Sequence, residues 1–227
     1  PRHHVTHLTR DSADMADLPA AQREQLCAEL RPGLITPVRA LSADGGRTIK
    51  HLWELHDGVR VESVLMRYKE RTTLCVSSQA GCGMACPFCA TGQMGLTRNL
   101  STGEIVEQVR HAAQASAAGE LTGGPARLSN VVFMGMGEPL LNLRETTRAL
   151  EMLNHDKGMD FSPRRITVST CGIKAGLREL GDSGLALLAV SLHAPNPDLR
   201  ATIMPKAANW PPHPLMAPRE SFPPRAS

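Results

Sequence analysis

Four short apolar runs constrain this chain more than any other feature: TTLCVSS (72–78), NVVFMG (130–135), RITVST (165–170) and LALLAVSLH (185–193). Three of them are followed by segments with helical periodicity, which gives a β-α-β-α rhythm. Strands buried under such helices lie parallel. Right-handed βα units in series make either an open sheet or a barrel, and in both the ligand site lies beyond the C-terminal strand ends. The helices carry their own start signals. Ser101-Thr-Gly-Glu104 has capping-box spacing, after which Ile105, Val109, Ala112 and Ala113 line one face, and Asn142 with Glu145 repeats that spacing before LRETTRALEML. With 227 residues, the chain is long enough for one large α/β domain or for a small domain joined to a medium one.

Upstream of these units the pattern changes. In DMADLPAAQREQLCAEL (14–30), Leu18, Leu26 and Leu30 recur at helical spacing and predict a small amphipathic helix. RTIKHLWELHDGVRVESVLMRY (47–68) holds two β-rich runs around Asp57-Gly58, a pair that tolerates positive φ and suits a tight hairpin. Four stretches are therefore expected: a helical segment over 1–45, a β-hairpin linker over 46–70, the βα units over 71–205 and an aberrant proline-rich tail over 206–227. Seven of the seventeen prolines fall within 205–227, a density incompatible with strand or packed helix.

The stretch CVSSQAGCGMACPFCATGQMG (75–95) holds four of the six cysteines. No window reaches the roughly 18 consecutive apolar residues of a membrane helix, and PRHHVTHLTRDSAD has no apolar signal-peptide core, so the chain reads as cytoplasmic with no membrane partner. In a reducing compartment, thiols clustered in this way bind metal or do chemistry rather than pair as disulfides. Cys82, Cys86 and Cys89 are spaced C-x3-C-x2-C, and thiolates suit iron-sulfur clusters or zinc. Three ligands would leave one iron of a four-iron cluster open, as a catalytic zinc keeps one position open. A structural zinc would need Cys75 or His111 as a fourth ligand, and the second C-x2-C of a zinc ribbon is absent from the sequence.

Charge adds little. The net charge of +3 does not single out a nucleic-acid partner, although MRYKERTT (66–73) and SPRRIT (162–167) are basic enough either to meet phosphates or to be solvated surface. At 3% aromatic residues, rows of Phe and Tyr for stacking single-stranded RNA are not visible.

A C-x3-C-x2-C loop after the first strand of a βα series resembles the cluster loop of the radical S-adenosylmethionine (SAM) enzymes. In order and spacing, TLCVSSQAGCGMACPFCATGQMG, VVFMGMGEPLLN, RITVST and LAVSLHAPNPDLRATIMP are similar to the RlmN/Cfr family of RNA methyltransferases over about residues 14–205. The resemblance implies an α/β fold, a partial (βα) radical SAM barrel with parallel strands preceded by a small helical segment and a β-hairpin. It implies a 4Fe-4S cluster and S-adenosylmethionine as cofactors, ribosomal RNA and transfer RNA as partners, and an electron donor such as flavodoxin or ferredoxin. The implied reaction adds a methyl group to carbon 2 of adenosine, a carbon too poor a nucleophile to attack SAM directly. In the family a deoxyadenosyl radical takes hydrogen from a methyl group carried on a cysteine, and a second cysteine resolves the resulting protein–RNA adduct as the ring proton leaves.

Carried over residue by residue, the resemblance makes Cys82, Cys86 and Cys89 cluster ligands, with Phe88 as the aromatic beside the cluster. Cys75 matches the resolving cysteine, although alone it would be read as a core thiol. Glu62 matches the proposed proton acceptor, although a lone Glu on a hairpin is as readily a solvated face. Gly137 and Glu138 match the SAM-binding turn, where the carboxylate would accept from the SAM ammonium. Ser169, Ser191, Leu192 and His193 match further SAM contacts; Cys27 and Cys171 match nothing functional and are expected in the core.

The methyl-carrying cysteine of the family lies far downstream of SLHAPN, and no cysteine follows Cys171 here. The chain is therefore expected to be an incomplete barrel of about four strands. Two alternatives accompany the carbon-2 reading: a remnant that binds cluster and SAM only, and a carbon-8 methyltransferase of the Cfr type. The non-enzymatic alternative is a zinc-binding RNA module.

Overall fold

The computed structural model describes residues 13, 15, 18–25 and 33–207. The described chain enters a meander of β1 (Ile35–Ala43), β2 (Thr48–Leu55) and β3 (Arg60–Arg67), paired antiparallel in sequence order. The Asp57-Gly58 turn joins β2 to β3 as its sequence predicts: Gly58 has φ 79°, and the Val59 amide donates to Asp57 Oδ1 at 3.2 Å. β3 pairs antiparallel with β4 (Thr72–Cys75), after which β5 (Gln79–Gly81) and β6 (Leu96–Asn99) form a separate two-stranded ribbon around the short α1 (Ala90–Gln93).

From β4 onward the main sheet is parallel. β7 (Asn130–Phe133), β8 (Ile166–Thr170) and β9 (Leu187–Val190) follow in register, giving the order β1-β2-β3-β4-β7-β8-β9. The crossovers carry α2 (Thr102–Ala117), α3 (Leu143–Asn154) and α4 (Lys174–Ser183), and α5 (Pro197–Ile203) follows β9. Val61, Leu65, Leu74, Val131, Ile166 and Val168 on one side of the sheet are sealed against Ile105, Val109, Leu150 and Leu153 of the helices. Each such side chain contributes about 1.5–3 kcal/mol on burial. The sheet is open, not closed into a full barrel.

The expected parallel units and hairpin are present, with two differences. Ile35–Ala43, inside the stretch assigned to a helical segment, is an edge strand whose period-two pattern is broken by a bulge between Pro37 and Arg39. At α2 the Ser101/Glu104 capping box forms, with both reciprocal bonds. At α3 the same spacing does not cap. Asn142 instead donates to the carbonyls of Ser78 and Leu100, both at 2.8 Å, and Glu145 accepts from the Thr102 amide and hydroxyl. Two spacings alike in sequence therefore serve a local cap in one case and a bridge between elements in the other. Of the N-terminal helix, Leu26, Cys27 and Leu30 lie outside the described residues, as does 208–227 of the tail; Pro205–Ala207 form a 3-10 turn.

Candidate active site

The cysteine loop leaves β4 through Ser77-Ser78-Gln79, which is held from every side. The Ser77 amide donates to Gln108 Oε1 at 3.0 Å while Gln108 Nε2 donates back to the Ser77 carbonyl at 3.1 Å. The Ser77 hydroxyl donates to the Glu62 carbonyl at 2.6 Å and accepts from the Met136 amide at 2.9 Å. Gln79 accepts the Glu138 amide at 2.8 Å and donates to Asn99 at 2.7 Å. The β5–β6 ribbon then closes the neck of the loop. The Cys82 amide donates to the Gly95 carbonyl at 2.8 Å, and Gly81, at φ 76°, lies so close that a Cβ there would sit 1.9 Å from that oxygen.

Within this frame Cys82 and Cys86 are buried, Cys89 is half-buried, and none is in a disulfide. Burial is the main cause that pushes the Cys82 and Cys86 thiols up, and for Cys86 the neighbouring Cys82 and Cys89 add to it. Three thiolates in one loop therefore repel one another, and a cationic iron-sulfur core is the kind of group that offsets such repulsion. The residues fit a cluster held by three thiolates. Among the described residues no group of three or more His, Cys, Asp or Glu converges around a single metal ion. His111, one candidate fourth zinc ligand, is engaged elsewhere, its ring 5.0 Å from that of Trp53 and its Nε2 3.7 Å from Glu107.

Strand register decides where the other candidates lie. Lys50, Val64, Cys75, Val132, Thr167 and Leu187 form one row across β2, β3, β4, β7, β8 and β9, so their side chains share a face. This is the face opposite the helices, and Glu62, Val64, Cys75, Val132, Thr167 and Ser169 on it are all half-buried. Glu62 stands two residues from Val64 on β3, beyond Cys75 toward the end where the cysteine loop departs, and its carboxylate pairs with Lys50 Nζ at 2.7 Å. Burial pushes the Cys75 thiol up, and the Met134 amide beside it works the other way. Cys75 and Glu62, neither of them marked by any local pattern, thus share one half-exposed face.

Gly137 and Glu138 form the turn after β7. Gly137 has φ 102°, and a Cβ there would fall 2.6 Å from the Gln79 side chain, so the turn packs directly on the stem of the cysteine loop. Glu138 is buried, with Oε1 accepting from the Leu140 amide at 3.1 Å and Oε2 from the Cys171 amide at 2.9 Å. It is close enough to Cys82 and Cys86 to act on both electrostatically. The Ser169 and Ser191 hydroxyls lie 3.3 Å apart at the ends of β8 and β9. His193, at φ 57°, sets its ring 4.7 Å from that of Phe88 and so joins the cysteine loop to the end of β9. Cys171 is buried as expected of a core residue.

Two residues that the sequence did not mark complete the arrangement. Arg200 of α5 is buried and donates to the carbonyls of Cys171 at 2.6 Å, Ala207 at 2.9 Å and Leu192 at 3.2 Å. Lys206 donates to the Gly83 carbonyl at 2.7 Å. A lone Arg on a short helix and a Lys in a tail give no local signal of either contact. No helix of the described residues is long and apolar enough to cross a membrane.

A sequence profile of the radical SAM superfamily matches residues 76–211. Over 212 residues the chain is 54% identical to a protein of Rhodococcus erythropolis named as a probable dual-specificity RNA methyltransferase RlmN, covering 92% of this chain and 58% of that protein. A protein of the same name from Nocardioides sp. is 56% identical over 206 residues, covering 89% of this chain and 55% of its own length. The chain thus spans somewhat over half the length of the curated relatives it matches. In fold it matches the crystal structure of a radical SAM methyltransferase from Sphaerobacter thermophilus with a TM-score of 0.88 and 44% identity, over 97% of this chain and 64% of that one. A loop of three coupled thiols at the C-terminal end of a parallel βα sheet, matched in sequence over most of the chain, establishes that this protein belongs to the radical SAM superfamily.

Proposed function

We propose that the site serves methylation of carbon 2 of adenosine in ribosomal and transfer RNA, the reading supported by the names of the relatives. The observation that carries it is the register that sets Cys75 and Glu62 on one open face at the end where the cysteine loop leaves the sheet. When bound, the cluster and SAM supply the radical chemistry that breaks an unreactive C–H bond. Cys82, Cys86 and Cys89 would hold three of the irons. Beyond two amide bonds and the Cys171 thiol beside it, the Glu138 carboxylate keeps a lone pair that the SAM ammonium would take; the Ser169 and Ser191 hydroxyls would take its polar groups. Cys75 would resolve the RNA adduct through its thiolate, and Glu62 would take the ring proton. An electron donor such as flavodoxin or ferredoxin and a cytoplasmic location complete the proposal.

The test is anaerobic reconstitution with iron and sulfide. The chain should take up about four of each and turn brown, and Ala at Cys82, Cys86 or Cys89 should abolish this. With SAM and a strong reductant it should release deoxyadenosine. The methyl-carrying thiol implied by the family resemblance is not among residues 1–227, so these residues alone should leave unmodified ribosomal RNA without 2-methyladenosine. Stoichiometric zinc without sulfide would overturn the cluster reading. The appearance of 2-methyladenosine would show that Cys27 or Cys171 can act as carrier.

A further inference from the structure

The open face does not stop at β4. On the meander it carries Lys50, Leu52, Glu62, Val64 and Met66, and it continues past the end of β3 to Tyr68, whose hydroxyl reaches the Met66 sulfur at 3.6 Å. Tyr68 is the only tyrosine of the chain, and it is 45% exposed. The Arg71 guanidinium lies over that ring, 4.6 Å from its centroid. Lys50 is in the same row as Cys75, two strands away, which is about 10 Å at the usual strand spacing. Tyr68 is four residues along β3 from Val64, the cross-strand partner of Cys75, or about 14 Å at the usual rise.

A cation, an exposed aromatic ring and a second cation therefore follow one another on a single surface that starts at the resolving thiol. This is the combination by which single-stranded nucleic acid is held without sequence readout: backbone phosphates on Lys and Arg, bases on an aromatic or guanidinium plane. The opposite charges on this surface are already matched where they occur. Arg60 bonds Glu54 through two nitrogens, at 3.1 and 2.9 Å, and Glu62 is paired with Lys50 itself. In the turn after β3, Lys69 and Arg71 outnumber Glu70. The aromatic ring on this surface among the described residues is thus flanked by positive charge, which complements a polyanion and disfavours a basic protein surface.

We infer that the open face of the meander, from Lys50 to the Tyr68–Arg71 pair, is the docking surface for the single-stranded RNA that flanks the target adenosine. The inference rests on the RNA reading above and adds to it the path of the strand. Phosphates meet Lys50 and Arg71, and one base stacks on Tyr68. The target nucleotide then lies over Cys75 and Glu62, where entry of RNA would release Glu62 from Lys50.

The test uses the 227-residue chain and a short unstructured RNA, with binding followed by fluorescence anisotropy at several salt concentrations. Lys50→Ala and Arg71→Ala should each weaken binding about three- to tenfold and reduce the salt slope by about 0.7, one phosphate contact of a single strand. Lys50→Arg should restore affinity. Tyr68→Ala should weaken binding about tenfold with little change of slope, and Tyr68→Phe should retain it. Arg148→Ala, exposed on α3 away from this face, should leave affinity unchanged. Circular dichroism verifies that each variant is folded. Equal losses in Arg148→Ala and in the face variants would overturn the inference, as would face variants that bind like the parent. Either result places the RNA elsewhere and leaves the methylation reading standing. A concentration-dependent dimer that Lys50→Ala dissolves would assign the face to a second copy and overturn it too. Absence of any RNA binding by the parent overturns it as well; the iron, sulfide and nucleoside measurements above then decide the functional reading separately.

Discussion

Glu138 shows how one side chain serves both scaffold and site. Its carboxylate closes the turn on itself through the Leu140 amide and reaches across to the Cys171 amide after β8, all in a buried position near Cys82 and Cys86. Replacement by Ala therefore removes more than the proposed partner of the SAM ammonium. It leaves two buried amides without an acceptor, with an expected stability loss of about 2 kcal/mol. Loss of the charged partner should weaken SAM binding about thirtyfold. Glu138→Gln keeps one acceptor oxygen and should recover part of the stability but less of the affinity. Urea unfolding and calorimetric SAM titration separate the two effects; a Glu138→Ala chain as stable as the parent would show that the backbone bonds are dispensable. The MGMGEP string announces a tight turn, but that its Gly137 must also clear Gln79 follows only from packing. Arg200 is the opposite case: it donates to backbone carbonyls of Cys171, Leu192 and Ala207, which have no sequence signature.

Among the elements, the β2–β3 hairpin depends on contacts far from its own turn. Arg98 of β6 binds Asp57 at the hairpin tip and Glu104 in the first turn of α2, and so ties three elements together. The Arg98 side chain is the main cause that holds the Asp57 carboxyl down at about 2, below its ordinary 3.8. A carboxylate held below its unfolded value contributes stability that is fully present above about pH 4 and fades as pH falls through about 2. Asp57→Asn should therefore lower the urea midpoint at pH 7, and the difference from the parent should shrink below pH 4 and vanish only below pH 2. A difference that persists unchanged at pH 2 would mean that the amide disturbs the turn geometry rather than the ion pair. α2 and α3 make the related point about legibility. Ser101 caps because its partner Glu104 is three residues away and already placed by the helix; Asn142 does not, because Ser78 and Leu100 present two buried carbonyls that have no other side-chain donor.

In the whole molecule one face of the sheet is sealed by helices and the other is left half-exposed, and the candidate chemistry is on the second. The far end of that arrangement depends on Arg200, which links the ends of β8 and β9 to Pro205–Ala207. Arg200→Lys keeps the charge but not the fork of donors and should cost about 3 kcal/mol in urea unfolding, since buried carbonyls lose their partners. A loss of less than about 0.5 kcal/mol would show that water or the lysine replaces those bonds. The parallel units, the hairpin, the α2 cap and the cysteine triplet could be read from the sequence, because each is set by residues within a few positions of one another, where periodicity, turn conformation and ligand spacing act. The family resemblance named Glu62 and Cys75, but nothing in their neighbourhoods marks them. Their shared face is fixed by the pairing of β3 with β4, a register chosen by the hydrophobic side that must be buried. The same register carries Lys50 into the row of Cys75, and the buried amides and guanidinium of Gln79, Gln108, Asn142 and Arg200 find carbonyls that only the assembled chain brings within reach. Local pattern thus determined the elements and the cysteine loop, whereas the surface on which they act was decided by tertiary structure, because burial and hydrogen-bond satisfaction are properties of the packed chain and not of any segment of it.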